Sequence, residues 1–229
     1  MGLVSWNENL PAVLDHTVLR PEASRADVLR LCAEAKEQGF VVIFVPPCYV
    51  DDAVAAVAGT PVQVGIPIGF PLGGHSTHAK VTEAIEAVAH GARVLDMVIN
   101  ISRLKSGDYD VVRQDMAAVV RATPGVNHKV ILETCLLTRE EKITACRLAV
   151  EAGMDYVKTS TGFNQAGATV EDVRLMKEAV AGRAKVKASG GIRDWKATRA
   201  LLEAGADRIG TSASLKILGE WRAERAAAR

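Results

Sequence analysis

Short runs rich in Val, Ile and Leu alternate along the chain with longer segments in which apolar residues recur three and four positions apart. The short runs predict buried parallel strands, and segments such as ADVLRLCAEAKEQ and ATRALLEA predict amphipathic helices. The predicted strands lie near residues 13–19, 41–45, 63–69, 94–100, 129–134, 156–160, 185–190 and 208–212. This strand-then-helix order is typical of α/β proteins with a parallel sheet.

Glycines support the same division into strand-and-helix units. Each of Gly39, Gly91, Gly153 and Gly205 follows a predicted helix and precedes a predicted strand. Glycine there suits a left-handed helix end. Eight units close a (β/α)8 TIM barrel, although a doubly wound sheet shows the same alternation. We favour the barrel because no G-x-G-x-x-G or G-x-x-x-x-G-K-[ST] motif occurs. We expect one domain over residues 1–229, with a short extra N-terminal helix and a frayed helix end from Arg222.

Composition narrows the class of partner. The 28 basic and 27 acidic side chains leave a formal charge of +1, so no overall field attracts nucleic acid or an anionic membrane. A small-molecule partner is therefore favoured. The four cysteines have no C-x-x-C spacing, which indicates a reducing compartment and no metal cage. Without a signal sequence or a long apolar stretch, the chain is expected to be soluble and cytoplasmic.

Charged residues interrupt four of the predicted strands. Alternate residues of a barrel strand face the lumen and the helices, so a charge at mid-strand is costly unless it has a partner or a function. The alternation places Asp96, Lys158 and Lys187 on the lumen side. Asp96 and Lys187 stand between apolar neighbours, and Lys158 stands between Val157 and Thr159. Asp15 shares a face with Thr17. We expect the four charged groups to converge inside the barrel.

Two lysines beside a carboxylate suit Schiff-base chemistry. A free lysine, with a pKa near 10.4, offers one neutral amine in about 2500 at pH 7. A nearby cation and burial both lower that pKa. We expect Lys158 to be the nucleophile, Lys187 to supply the second charge and Asp96 to relay protons. Strand-end lysines that reach water, or a structural ion pair with Asp96, remain alternatives.

The pair of Asp15 and His16 allows a second interpretation. These two residues are equally consistent with a hydrogen-bonded pair in the lower barrel.

Longer motifs resemble one enzyme family. The runs VKTSTGF at 157–163 and VKASGGIRD at 186–194 closely resemble those of deoxyribose-phosphate aldolases. Further similar segments, in family order, are LDHT at 14–17, IGFPLG at 68–73, LDMVIN at 95–100, KVILETCLLT at 129–138 and RIGTSAS at 208–214. The resemblance extends over most of the chain.

The resemblance implies a class I aldolase that reversibly cleaves 2-deoxy-D-ribose 5-phosphate to D-glyceraldehyde 3-phosphate and acetaldehyde, in deoxyribonucleoside and carbohydrate catabolism. It assigns the Schiff base to Lys158, the perturbing charge to Lys187 and the proton relay to Asp96. It further implies no metal or organic cofactor, small phosphorylated sugar and aldehyde substrates, and a homodimer.

The phosphate is expected at the loops after the seventh and eighth strands, where barrels of this kind hold one. Glycines there let backbone N–H groups approach the anion, and a helix N-terminus adds a favourable dipole. The expected substrate- and phosphate-binding residues are Asp15, Thr17, Thr161, Gly162, Gly190, Gly191, Gly210 and Ser212. Ordinary barrel turns explain these glycines equally well without the resemblance.

The chain also departs from the family pattern. Phe44 and Pro46 differ from the residues that relatives often carry, which affects the expected aldehyde tolerance, and Ala213 replaces a serine of some members, which affects the expected phosphate preference. Val94 stands where many relatives carry an acidic residue, which changes an expected contact behind the site residues.

Two further features suggest other functions, but neither is well supported by the sequence. His75 and His78 are spaced like metal ligands of a class II aldolase but have no third ligand in sequence, and Cys48 has no histidine motif. The remaining sulphur residues expected in the core are Cys135, Cys146, Met97 and Met176. A phosphosugar isomerase or synthase without a covalent bond, and a catalytically silent barrel that binds a phosphorylated metabolite, remain open.

Overall fold

A computed structural model describes residues 6–227 and contains one closed, parallel, eight-stranded barrel. Each strand pairs with the next in sequence, and the last pairs with the first. The strands are β1 (Leu14–Thr17), β2 (Val42–Phe44), β3 (Gln63–Ile68), β4 (Val94–Val98), β5 (Asn127–Ile131), β6 (Tyr156–Lys158), β7 (Lys185–Ser189) and β8 (Arg208–Thr211). The predicted (β/α)8 TIM barrel is confirmed.

Helices follow the strands and surround the barrel. They are α1 (Arg25–Gln38), α2 (Val50–Val57), α3 (Thr77–Ala89), α4 (Ile101–Lys105), α5 (Tyr109–Ala122), α6 (Arg139–Glu151), α7 (Val170–Val180), α8 (Trp195–Glu203) and α9 (Ser214–Ala227). Short 3-10 helices span Leu10–Val13, Pro47–Tyr49 and Thr134–Leu136, and the first of these is the predicted N-terminal helix. The part of that N-terminal segment before residue 6 lies outside the described residues.

The helix ends follow the local sequence signals. Ser24 and Thr138 begin α1 and α6 with capping boxes, in which each side chain and a carboxylate three residues later satisfy free backbone N–H groups. Gly39 ends α1 with a φ of 79°. The other three predicted glycines also have positive φ, as expected for chain reversals towards a strand.

One expectation about an element end is wrong, and a second falls partly outside the described residues. The predicted fifth strand extends to 134, but β5 ends at Ile131 because Glu133 adopts a φ of 57° and a 3-10 helix starts at Thr134. The tail from Arg222 is helical as far as Ala227, and the expected frayed end at residues 228–229 lies outside the described residues. Alanine and arginine are strong helix formers, and the Arg222 guanidinium donates to Gln38 Oε1 at 2.9 Å.

The apolar core has two parts. The larger part fills the space between the strands and the helices, and it includes the predicted core residues Met97, Cys146 and Met176. The smaller part lies inside the barrel and consists of Val42, Phe44 and Val94. The Phe44 ring of this smaller part lies beside the Lys158 and Lys187 side chains.

Within residues 6–227, no helix combines the length and the apolar character that crossing a membrane requires.

Candidate active site

Asp96, Lys158 and Lys187 meet in the barrel lumen, as the strand alternation predicts. Asp96 lies in the middle of β4 and is fully buried. Its Oδ2 atom accepts hydrogen bonds from Lys158 Nζ at 2.8 Å and from Lys187 Nζ at 2.7 Å. The two lysines are register partners on β6 and β7, so both stems reach the same carboxylate from one side. A single oxygen thus holds two ammonium groups together.

The same cluster contains three more charged side chains. Lys187 Nζ lies 2.5 Å from Asp15 Oδ2 in an ion pair, and Arg208 Nε donates to Asp15 Oδ1 at 2.6 Å. Lys129 is the register partner of Asp96, and its Nζ lies 3.5 Å from Asp96 Oδ1. Four basic side chains therefore surround two carboxylates, and protonating all four leaves an excess of two positive charges.

The positive charge excess and the burial of the cluster both change the pKa values of its carboxylates. Burial raises the pKa of Asp96, but Lys158, Lys187 and Lys129 outweigh it and hold that pKa well below its ordinary range. Burial likewise raises the pKa of Asp15, yet Arg208 and Lys187 bring it to about 2. Both carboxylates are therefore ionised at neutral pH.

The lysines respond in the opposite sense. Burial lowers the pKa of Lys158; Asp96 raises it and Lys187 lowers it, and the result lies below the ordinary lysine value. Burial also lowers the pKa of Lys129 to about 8, against the pull of Asp96 and Asp15. The cluster therefore favours a neutral amine.

An aromatic ring packs against the ammonium groups. The ring centroid of Phe44 lies 3.9 Å from Lys187 Nζ and 5.6 Å from Lys158 Nζ. Gly65 on β3 makes room for this ring, because a Cβ atom there would lie 2.6 Å from Phe44 Cζ. The ring excludes water from one side of the cluster and offers the cations its negative face.

A cavity of about 660 Å³ opens at the C-terminal end of the barrel. Of the six charged cluster residues, Lys158 alone is among those that line it. Its side chain is 6% exposed, whereas the side chain of Lys187 is 1% exposed. A small molecule in the cavity can therefore reach the Lys158 amine, while the neighbouring charges stay below it.

Most of the predicted binding residues line this cavity. They are Thr17, Thr161, Gly162, Gly190, Gly191, Gly210 and Ser212. The φ of Gly190 is 86°, which gives the loop after β7 a shape that other residues rarely adopt. Gly210 also makes room for the cluster, since a Cβ atom there would lie 2.8 Å from Lys187 Cε. Arg193 and Lys216 add positive charge to the same wall.

The structure does not bring Asp15 to the cavity wall. Asp15 is fully buried in the charged cluster, so its predicted substrate contact stays a prediction. The alternative pairing of Asp15 with His16 is wrong, because His16 Nε2 lies 2.8 Å from Glu34 Oε2 on α1. Strand alternation turns the two neighbours to opposite faces. Burial lowers the pKa of His16, and Glu34 partly opposes that shift.

Three charged residues of this region, the buried Lys129 and Glu133 and the half-buried Arg208, have no role in the sequence-based prediction. Lys129 and Arg208 stand at or near the start of their predicted strands, where a charge reaches water at no cost. The actual bounds put Lys129 in the middle of β5, next to the apolar Val130, and this position within a strand is the signal that could have identified it. Glu133 precedes a 3-10 helix and holds the loop after β6.

The other candidates stay apart from this site. His75 and His78 are exposed, and residues 6–227 contain no group of three or more His, Cys, Asp or Glu side chains placed to hold a metal ion. Cys48 is exposed, and Cys135 is half-buried rather than in the core. Burial raises the pKa of the Cys146 thiol to about 12, so it is not reactive.

Comparisons with known proteins agree on one family. A family model described as DeoC/LacD family aldolase matches residues 11–219. The deoxyribose-phosphate aldolase of Thermoanaerobacter sp. (strain X514) is 52% identical over 93% of this chain and 97% of its own length.

Solved structures agree with this result. An aldolase designated QR15 has a TM-score of 0.92 at 42% identity, and the alignment covers 96% of this chain and 99% of that one. The deoxyribose phosphate aldolase from Aeropyrum pernix, described as a tetramer, has a TM-score of 0.89 at 31% identity over 97% of this chain and 94% of its own. The barrel, its buried lysine cluster and these similarities lead to one conclusion: the chain belongs to the DeoC/LacD family of aldolases.

Proposed function

We propose that this aldolase reversibly cleaves 2-deoxy-D-ribose 5-phosphate to D-glyceraldehyde 3-phosphate and acetaldehyde, through a Schiff base on Lys158. The observation that carries the proposal is the arrangement around Asp96 Oδ2, which binds the cavity-lining Lys158 and the buried Lys187 at 2.8 and 2.7 Å. The names of the most similar relatives support the choice of substrate. The reaction serves deoxyribonucleoside and carbohydrate catabolism.

The reaction needs Lys158 as a neutral amine. Its pKa is lowered first by burial and also by the charge of Lys187. The amine attacks the aldehyde carbon C1 of the open-chain sugar, and the resulting carbinolamine loses water to give a protonated imine. Asp96, bonded to both lysines, supports the movement of the protons that these two steps exchange.

The imine then acts as the electron sink. A base removes the proton of the C3 hydroxyl, the C2–C3 bond breaks, and its electron pair moves into the imine to form an enamine. D-Glyceraldehyde 3-phosphate leaves with the new aldehyde group at the former C3. Protonation of the enamine at C2 and addition of water at C1 then release acetaldehyde and restore the Lys158 amine.

The phosphate is assigned to the loops after β7 and β8. Gly190, Gly191 and Ser212 line this side of the cavity, and Arg193 supplies a cationic side chain. The helix α9 begins at Ser214 directly after these loops, so its N-terminal dipole favours an anion. Thr161 and Gly162 contribute from the loop after β6. Asp15 acts through the cluster, where it binds Lys187 and Arg208.

Trapping with acetaldehyde and borohydride tests the proposal. Only an imine is reduced to a stable secondary amine, so one ethyl group should appear on the peptide that contains Lys158. Lys158→Arg keeps a positive charge but forms no imine, and it should lose both the adduct and the cleavage activity. Lys185→Met removes an exposed lysine of the same sheet and should keep both. Cleavage without any adduct on Lys158 would instead favour an enzyme that uses no covalent bond.

The assembly and the location of the protein stay predictions. A homodimer in the cytoplasm is expected, whereas the Aeropyrum pernix relative is described as a tetramer. Light scattering on the purified chain distinguishes a dimer from a tetramer.

A further inference from the structure

Glu133 is an unusual residue beside the active site. It is 1% exposed, and its φ of 57° lies in the left-handed region that favours glycine. Within residues 6–227, Ala181 is the one other non-glycine residue with a positive φ, and it ends helix α7. A buried carboxylate on a strained backbone indicates that its side chain is needed at this place.

The carboxylate of Glu133 binds the loop that follows β6. Thr161 N donates to Glu133 Oε1 at 3.2 Å, and the Thr161 hydroxyl donates to Glu133 Oε2. The same Thr161 oxygen accepts the backbone N–H of Phe163 at 3.1 Å. One carboxylate thus fixes three consecutive residues, 161–163, and all three line the cavity.

This anchor is separate from the contacts that hold Lys158. Leu132 N donates to Lys158 O at 2.9 Å, and Thr134 N donates to Thr159 O at 2.9 Å, so the backbone pairing continues on both sides of Glu133. The Lys158 amine is held by Asp96. Removing the Glu133 carboxylate therefore releases the loop while leaving the lysine and its strand in place.

We propose that Glu133 is a positioning residue that sets the loop 161–163 for the phosphorylated end of the substrate. The inference rests on the proposed function, in which Thr161 and Gly162 of this loop line the same cavity as Lys158 and contribute to the phosphate site. A role in stability alone predicts equal losses for every substrate. A positioning role predicts a loss that is selective for the phosphorylated sugar.

The test compares kcat/KM for 2-deoxyribose 5-phosphate with kcat/KM for 2-deoxyribose in Glu133→Gln. A glutamine has the same size, but its NH2 group cannot accept the second hydrogen bond from Thr161. Because a hydrogen bond to a charged group is strong, kcat/KM for the phosphorylated sugar divided by kcat/KM for 2-deoxyribose should fall by about tenfold to a hundredfold. The rate of acetaldehyde trapping on Lys158 should stay unchanged, since acetaldehyde does not extend to the loop.

Two further variants complete the test. Thr161→Val removes the other half of the side-chain contact, so it should lower the ratio equally, and the double variant should lower it no further. If Glu133→Gln does not fold, Glu133→Asp takes its place: it keeps the charge but shortens the reach to Thr161, and it should lower the same ratio. Asp155→Asn is the matched control, because its carboxylate accepts the backbone N–H of His128 at 2.8 Å at the opposite end of β5 and β6. This control should leave the ratio unchanged.

The outcomes separate the two proposals. Equal losses for both sugars, additive effects in the double variant or a loss of trapping would overturn the positioning role. A wild-type chain that forms no adduct on Lys158 would overturn the proposed function, and the role of Glu133 with it.

Discussion

Replacing Lys187 with methionine tests how the cluster keeps Lys158 reactive. Lys187 shares Asp96 Oδ2 with Lys158, at 2.7 and 2.8 Å. Two unit charges about 5 Å apart repel by about 3 kcal/mol at an effective dielectric constant near 20. That repulsion corresponds to about two pH units, so the neutral fraction of Lys158 at pH 7 should fall by about a hundredfold in Lys187→Met.

The assay is the pH dependence of acetaldehyde trapping on Lys158. We expect the acid limb of the profile to move to higher pH by about two units, because Asp96 then stabilises the remaining ammonium without competition. The rate should recover towards the wild-type value at high pH. Lys185→Met, which removes an exposed lysine at the start of β7, should leave the profile unchanged.

Two results would refute this reasoning. An unchanged midpoint would mean that Lys187 does not control the Lys158 amine. A loss at every pH, in a variant whose unfolding temperature matches that of the wild type, would mean that Lys187 takes part directly in proton transfer.

Three other variants test the packing and the charge balance. The pKa of Asp15 is lowered to about 2 in the folded chain, so the ionised carboxylate stabilises the fold above its ordinary pKa, and this stabilisation is lost as the pH falls through the folded pKa. Between about pH 4 and pH 2 the unfolding free energy of Asp15→Asn should therefore fall by about 2 kcal/mol less than that of the wild type. Identical urea titrations of variant and wild type over that range would contradict this. Gly65→Ala should lower the unfolding free energy by about 1–3 kcal/mol, because the new Cβ atom would lie 2.6 Å from Phe44 Cζ. Thermal unfolding measures this loss, and Gly74→Ala, whose Cβ atom would meet nothing within 4 Å, is the control. Asp115→Asn removes the carboxylate whose oxygen lies 2.6 Å from the fully buried Lys80 ammonium. The unfolding free energy, measured in urea, should fall by about 3–5 kcal/mol. A smaller loss would mean that Lys80 finds another partner.

The strand alternation predicts the centre of the site because a charge next to an apolar residue inside a strand has a defined face. Asp96, Lys158 and Lys187 are identified in this way, and the structure joins them in one hydrogen-bonded group. Lys129 follows the same rule. It is missed because the predicted fifth strand begins at 129 rather than at Asn127, and a charge at a strand end needs no partner.

Other features have no local signal in the sequence. The contact between Arg208 and Asp15 joins residues 193 positions apart, through the closure of β8 on β1. The left-handed conformation of Glu133 depends on the Thr161 donors of the next strand unit, which strand periodicity does not reveal. Long-range contacts of this kind depend on the closed barrel, so they become visible only after the fold is known.

The most direct test of the account is an NMR titration of the Lys158 side chain, with lysine labelled at Cε and Nζ and the signal assigned by its absence in Lys158→Arg. The Lys158 amine is expected to titrate below the ordinary lysine value near 10.4, and its signal is expected to change on addition of acetaldehyde as the imine forms. A Lys158 signal that titrates at the ordinary value and is unaffected by acetaldehyde would contradict it.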